Sequence, residues 1–189
     1  MRPGFAQLHL NVAMGELVVV TGPPGAGKSS VSEQLATGFT PSALVAGDVF
    51  FAMMKQGYIL PWLPPARRQN SVIIEAAAAA AGRLTELCFV VYDGVLGPWF
   101  LPTFLRATGL SQVHYLILLP PLEVCLERVR TRVGHGFADL SVTRDMYEQF
   151  RDATIDTRHM INEPDHHPAQ LTELITRGLD DGRFRYSPS

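Results

Sequence analysis

Lysine is nearly missing from this chain: Lys28 and Lys55 are the whole supply, and the remaining positive charge is arginine. With 16 basic against 18 acidic residues, it lacks the basic excess of a general nucleic-acid or anionic-membrane binder. Cysteine is scarce too. Cys88 and Cys125 are far apart, in apolar surroundings and without metal-ligand spacing, which favours core packing and a reducing compartment over a disulfide framework. His166 and His167 adjoin in a proline-flanked stretch, with no second cluster to complete a metal site. The alanine-rich run at residues 73–82 is too short to cross a bilayer. The opening segment mixes Gln7, His9 and Asn11 with apolar residues and does not read as a signal peptide. These absences lead to the expectation of a soluble, cytoplasmic protein with no nucleic-acid and no membrane partner. A length of 189 residues suits one domain, residues 1–189, with a sizeable core.

What is present centres on residues 16–30, E-L-V-V-V-T-G-P-P-G-A-G-K-S-S, where an apolar run meets a glycine-rich turn and then a helix start. Gly22, Gly27, Lys28 and Ser29 fit the phosphate-binding pattern G-x-x-x-x-G-K-[ST]. The intervening Pro23, Pro24, Gly25 and Ala26 complete the loop, and Ser30 continues into the helix. Glycines at 22, 25 and 27 permit torsions and close approaches that a Cβ blocks, so successive N–H groups can face phosphate oxygens. Lys28 is placed to reach the β and γ phosphates, and the Ser29 hydroxyl to bind Mg²⁺. The helix aims the positive end of its dipole at the anion.

The remaining elements alternate. Buried-type strands are expected at 17–21, 43–46, 87–92 and 113–119, with a short edge strand near 159–162. Helices are expected to follow the loop to about residue 37, then at 49–56, 67–86, 122–132, 143–152 and 168–179. Prolines 61, 64 and 65 break the chain before the long helix, and its alanines at 76–81 suit close packing. Such alternation implies right-handed βαβ units and a parallel sheet covered on both faces, binding ligand at the carboxyl ends of its strands. Asp48 and Asp93 both fall just after strands. Asp48 can accept the proton of an attacking hydroxyl, and it also suits a helix N-cap. Asp93 can act as a metal carboxylate, although Asp-Gly is equally a turn. Arg128 and Arg132 share one helix face while Arg130 points elsewhere, so the first two can neutralise a transferring phosphoryl group from a lid at about 130–145. Gly134 and Gly136 bracket His135 there. Arg67 and Arg68 can touch an anion or stay solvated. Two aromatic, proline-rich pieces, 58–63 and 98–100, can wall a pocket or serve as core.

The P-loop, Gly47-Asp48 and the run from Arg128 to His135 together resemble the small-molecule kinases of the nucleoside-monophosphate-kinase type, especially gluconate kinases and chloramphenicol phosphotransferases. Pro61-Trp62-Leu63 and Gln149-Phe150 add to the gluconate-kinase likeness. The resemblance covers most of residues 16–163. It implies a P-loop three-layer α/β/α sandwich with a five-stranded parallel sheet and a small helical lid, ATP as donor and Mg²⁺. It also implies Asp48 as the hydroxyl-activating carboxylate and lid arginines at 128 and 132. After the third strand the chain departs from gluconate kinases, with Tyr92-Asp93-Gly94-Val95-Leu96-Gly97-Pro98-Trp99-Phe100 in place of their cysteine-serine-alanine-leucine stretch. That departure, with the apolar wall, favours an acceptor carrying hydrophobic surface over a bare sugar acid.

The expected activity is ATP-dependent transfer of the γ-phosphate to a hydroxyl of a small molecule, with Lys28, Asp48, Arg128 and Arg132 as its machinery. Two other classes compete. One is a nucleotide-hydrolysing switch, although neither Asn-Lys-x-Asp nor Thr-Lys-x-Asp occurs. The other is a kinase acting on a macromolecular or nucleotide-linked substrate.

Overall fold

The computed structural model describes residues 15–131, 139–162 and 168–188. The apolar run after Glu16 forms β1 (Leu17–Thr21), all five residues of which are buried. Strand side chains alternate between faces, so β1 serves two cores at once. Leu17 and Val19 join the cluster built with α3 (Arg67–Leu84) and α4 (Leu101–Thr108). Val18 and Val20 face α1 (Lys28–Thr37), α5 (Leu122–Thr131) and α7 (Pro168–Asp180). This is the three-layer sandwich expected from the sequence.

Strand β1 lies between β3 (Phe89–Asp93) and β4 (Val113–Leu118), and β2 (Ser42–Ala46) forms one edge, giving the order β2-β3-β1-β4-β5. All four of those pairings are parallel, as expected for five strands. The short β5 (Met160–Ile161) pairs with the end of β4. A sixth strand, β6 (Arg185–Tyr186), runs antiparallel against its start, a pairing the sequence did not announce. Elsewhere the differences are in boundaries. The third strand begins at Phe89, and Leu87 stays 68% exposed as the turn after α3. Helix α2 is only Gly47–Ala52, and the chain then runs irregularly to the 3₁₀ turn Pro64–Ala66. Helix α6 starts earlier than expected, at Leu140, because the Asp139 carboxylate caps it by accepting from the amides of Ser141 and Val142.

The alanine stretch of α3 does what small side chains allow. Ala77, Ala78 and Ala81 are buried, and a Cβ on Gly82 would come within 2.7 Å of Thr108 Cα, so α3 and α4 nearly touch along their backbones.

Candidate active site

Register assembles the site. Asp93 pairs with Val20 on one side and with Ala46 on the other. The chain leaves the sheet just after each of these three residues, so Gly22, Asp48 and Asp93 stand side by side at its carboxyl edge. A cavity of about 890 Å³ opens there, with Lys28, Ser29, Asp48, Asp93 and Arg128 among its lining.

The phosphate-binding loop is held from below. Gly22 and Gly25 have φ of 145° and 79°. A Cβ on Gly22 would lie 3.2 Å from the Leu118 carbonyl carbon, and one on Gly25 would lie 2.9 Å from Cys125 Cα, both closer still to the carbonyl oxygens. The loop therefore lies directly on the end of β4 and the first turn of α5. Gly27, at φ 93°, begins α1, which has no side-chain cap and no acidic residue in its first turn. Its amides and dipole remain directed at the loop. Lys28 Nζ donates to the Pro23 carbonyl at 3.0 Å, folding the ammonium across the turn. Arg128 comes from α5 and its Nη1 donates to Gly25 O at 3.3 Å and Ala26 O at 3.5 Å. Arg130 turns away to Glu127, at 2.6 Å, as the helical spacing required. Cys125 lies beneath the loop, and burial pushes its thiol up to about 11, which leaves it protonated and part of the packing.

Asp48 is the second residue of α2 and not its cap. Ala46 holds the cap position with no side-chain bond, so the N-cap reading is corrected and the carboxylate is left exposed toward the cavity. Burial, and then the Asp48 charge, push the Tyr58 and Tyr92 phenols up, and both residues line the same cavity as Asp48. Asp93 is half-buried and also lines the cavity. The segment beyond Asp93 is pinned by two buried bonds. Leu96 N–H donates to the Thr21 hydroxyl at 2.8 Å, and the Tyr115 hydroxyl donates to Leu96 O at 2.7 Å.

Both aromatic pieces contribute to the wall: Tyr58, Pro61 and Trp62 from one, Trp99 and Phe100 from the other. The Trp99 ring folds back over Gly97 and stands 5.7 Å from Phe150 of α6. What holds the first piece was not singled out in the sequence. Gln69 accepts from Ile59 N–H at 2.9 Å and donates to Ile59 O at 2.7 Å, and Asn70 donates to Pro61 O at 2.7 Å. Two neutral amides at the start of α3 thus fasten the wall, while Arg67 and Arg68 beside them are exposed and outside the cavity lining. Arg132 and His135 of the expected lid, and His166-His167, lie outside the described residues.

Among the described residues no group of three or more His, Cys, Asp or Glu is gathered for a metal ion. Ser29 and Asp93 offer isolated oxygens beside the loop. That sparse set suits Mg²⁺, which takes one or two protein oxygens and fills its shell with phosphate and water. No helix among the described residues is long and apolar enough to cross a membrane.

A parallel sheet in this order, with a glycine-lined anion cradle after its central strand and acidic residues at the neighbouring strand ends, defines a P-loop kinase fold. A family model described as an AAA domain matches residues 17–154, and the chain belongs to that family. No curated protein matches it in sequence. Solved structures do. The tunicamycin resistance protein of Deinococcus radiodurans is 20% identical over 87% of this chain and 95% of its own, with a TM-score of 0.65. A sugar kinase from Janibacter sp. HTCC2649 is 22% identical over 87% and 94%, with a TM-score of 0.66. A gluconokinase from Sinorhizobium meliloti 1021 is 21% identical over 90% and 94%, with a TM-score of 0.61. Identities this low speak for a shared fold.

Proposed function

We propose that the chain is an ATP- and Mg²⁺-dependent phosphotransferase that moves the γ-phosphoryl group to a hydroxyl of a small molecule. The observation that carries this is the register that sets Asp48 beside both the P-loop and an aromatic cavity of about 890 Å³. A switch that only hydrolyses nucleotide needs a water next to the γ-phosphate, whereas this space accommodates a second substrate. The similar folds of a sugar kinase and a gluconokinase support the same reading.

Lys28 swings from the Pro23 carbonyl to the β and γ phosphates, and the loop amides hold the remaining oxygens. The Ser29 hydroxyl and the Asp93 carboxylate would hold Mg²⁺, which when bound would supply charge neutralisation of the triphosphate. Asp48 accepts the acceptor hydroxyl's proton as its oxygen attacks phosphorus. Arg128 stands close enough to the loop to steady the charge spreading over the equatorial oxygens, and Arg132 joins it from the lid. Tyr58, Trp62, Trp99 and Phe100 give the acceptor an apolar face to rest on, which favours a partly hydrophobic alcohol over a bare sugar acid.

The test is MgATP turnover with phenyl β-glucoside, uridine, chloramphenicol, gluconate and shikimate offered singly. Transfer to one of the first three with little to the two acids is expected. Turnover that no small molecule stimulates, but that a protein does, favours the switch.

A further inference from the structure

One polar atom in the cavity wall has no part in the mechanism above. Tyr92 is the next-to-last residue of β3, is 1% exposed, and packs its ring edge-on against Phe104 at 4.8 Å between centroids. Its hydroxyl end reaches the cavity between two glycines. A Cβ on Gly47 would lie 2.5 Å from the Tyr92 oxygen, and one on Gly94 would lie 2.9 Å from it, so any larger residue at either place would push the phenol aside. Gly47, Gly94 and Tyr92 all line the cavity, and Asp48 and Asp93 follow Gly47 and Tyr92 directly in the chain. A phenylalanine would fill the same core volume, so packing alone does not call for the oxygen.

We infer that the Tyr92 hydroxyl is a hydrogen-bond donor of the acceptor site, holding the oxygen of the incoming alcohol against Asp48. The inference rests on the phosphotransferase reading and adds the group that orients its nucleophile. Burial and the two neighbouring carboxylates push the phenol well above its ordinary range, so it stays protonated and can only donate or accept hydrogen bonds at neutral pH. The acceptor oxygen then has three directions assigned. One lone pair faces the γ-phosphorus, the second accepts from Tyr92, and its proton points at Asp48. As the new P–O bond forms, the bond from γ-phosphorus to the β-bridging oxygen breaks, ADP leaves, and the alcohol's proton passes to Asp48 and on to solvent. Tyr92 keeps its own proton throughout. Fixing the nucleophile in line is the kind of restraint from which phosphoryl transfer gains most.

The experiment compares wild type with Tyr92→Phe on the full chain, with MgATP and whichever of phenyl β-glucoside, uridine or chloramphenicol wild type phosphorylates. Loss of one neutral hydrogen bond should lower kcat/KM for the acceptor by about tenfold, with the KM for MgATP unchanged within about twofold. The melting temperature should hold, because the ring and its packing on Phe104 remain. A crystal structure with a non-hydrolysable ATP analogue and that acceptor should show a hydroxyl oxygen about 3 Å from the phenol. Equal kcat/KM in the two proteins, or a lower melting temperature with unaltered transfer, overturns the role of Tyr92 and leaves the phosphotransferase reading standing. No transfer by wild type to any alcohol overturns both.

Discussion

Replacing Gly25 by alanine tests whether α5 is seated on the phosphate-binding loop. Two costs arise, and a second glycine separates them. Gly109, after α4, has φ 74° with nothing within 4 Å of a Cβ, while Gly25 has φ 79° and would bring its Cβ to 2.9 Å from Cys125 Cα. Gly109→Ala therefore meets only the left-handed backbone penalty, about 1 kcal/mol. Gly25→Ala meets the same penalty and a clash. Carbon atoms rest at about 3.5–4.0 Å, so α5 must retreat by roughly 1 Å, an overpacking cost of about 1–3 kcal/mol. For a chain of this size each kcal/mol lowers the melting temperature by about 2–4 °C. Scanning calorimetry should thus find Gly109→Ala about 3 °C below wild type and Gly25→Ala about 6–12 °C below. Retreat of α5 also draws Arg128 away from the Gly25 and Ala26 carbonyls, so calorimetric titration should show MgATP affinity reduced about tenfold or more in Gly25→Ala alone. Equal melting temperatures for the two variants would refute the close approach on which the loop's shape depends.

Other consequences reach further from the loop. Gln69→Ala removes both bonds to the Ile59 backbone and should lower stability by about 1–2 kcal/mol. Steady-state kinetics should show the acceptor KM rising while that of MgATP stays put; a change in the nucleotide term alone would contradict the wall assignment. His114 is 3% exposed, its Nε2 is 3.3 Å from Glu16, and burial, reinforced by Arg185, lowers it from the usual 6.5 to about 4. Between those values the unfolded chain binds a proton that the folded chain refuses, so stability is full above pH 6.5 and declines as pH falls toward 4, by about 2–4 kcal/mol. The raised Glu16 carboxyl takes up a proton early and offsets part of that loss at the acid end. Urea unfolding from pH 7.5 to 4 should be flatter in His114→Gln, and an identical pH slope would exclude His114 as the source.

The parts of this protein visible in its sequence are those in which a local physical demand leaves few residue choices. The loop announces itself because only glycine tolerates its torsions and contacts, and β1, β3 and β4 because strands buried on both faces are mostly apolar and lack the polar alternation of a half-exposed strand. Asp48 and Asp93 followed from their places at strand ends. The helix between β3 and β4 was expected in order but not in extent, since Pro98 and Pro102 obscure its start and it has only 8 residues. Strand β6 carries no local signal because two residues are ordered solely by the edge of β4. The fastening of the cavity wall was hidden for a different reason. Charge drew attention to Arg67 and Arg68, but binding both N–H and C=O of one backbone residue requires a neutral amide that donates and accepts, which Gln69 supplies. Tyr92 was not singled out in the sequence either: a hydroxyl one residue before the end of β3 takes on meaning only from the glycines at 47 and 94 that the fold brings against it.

The account's central claim concerns the carboxylate at 48, and Asp48→Asn measures it with almost no change of shape. MgATP affinity by calorimetric titration should stay within about threefold of wild type, while acceptor phosphorylation should fall by about 10²–10⁴-fold, the range for loss of a general base. Phosphoryl transfer at the wild-type rate in that variant would show that another group takes the acceptor's proton.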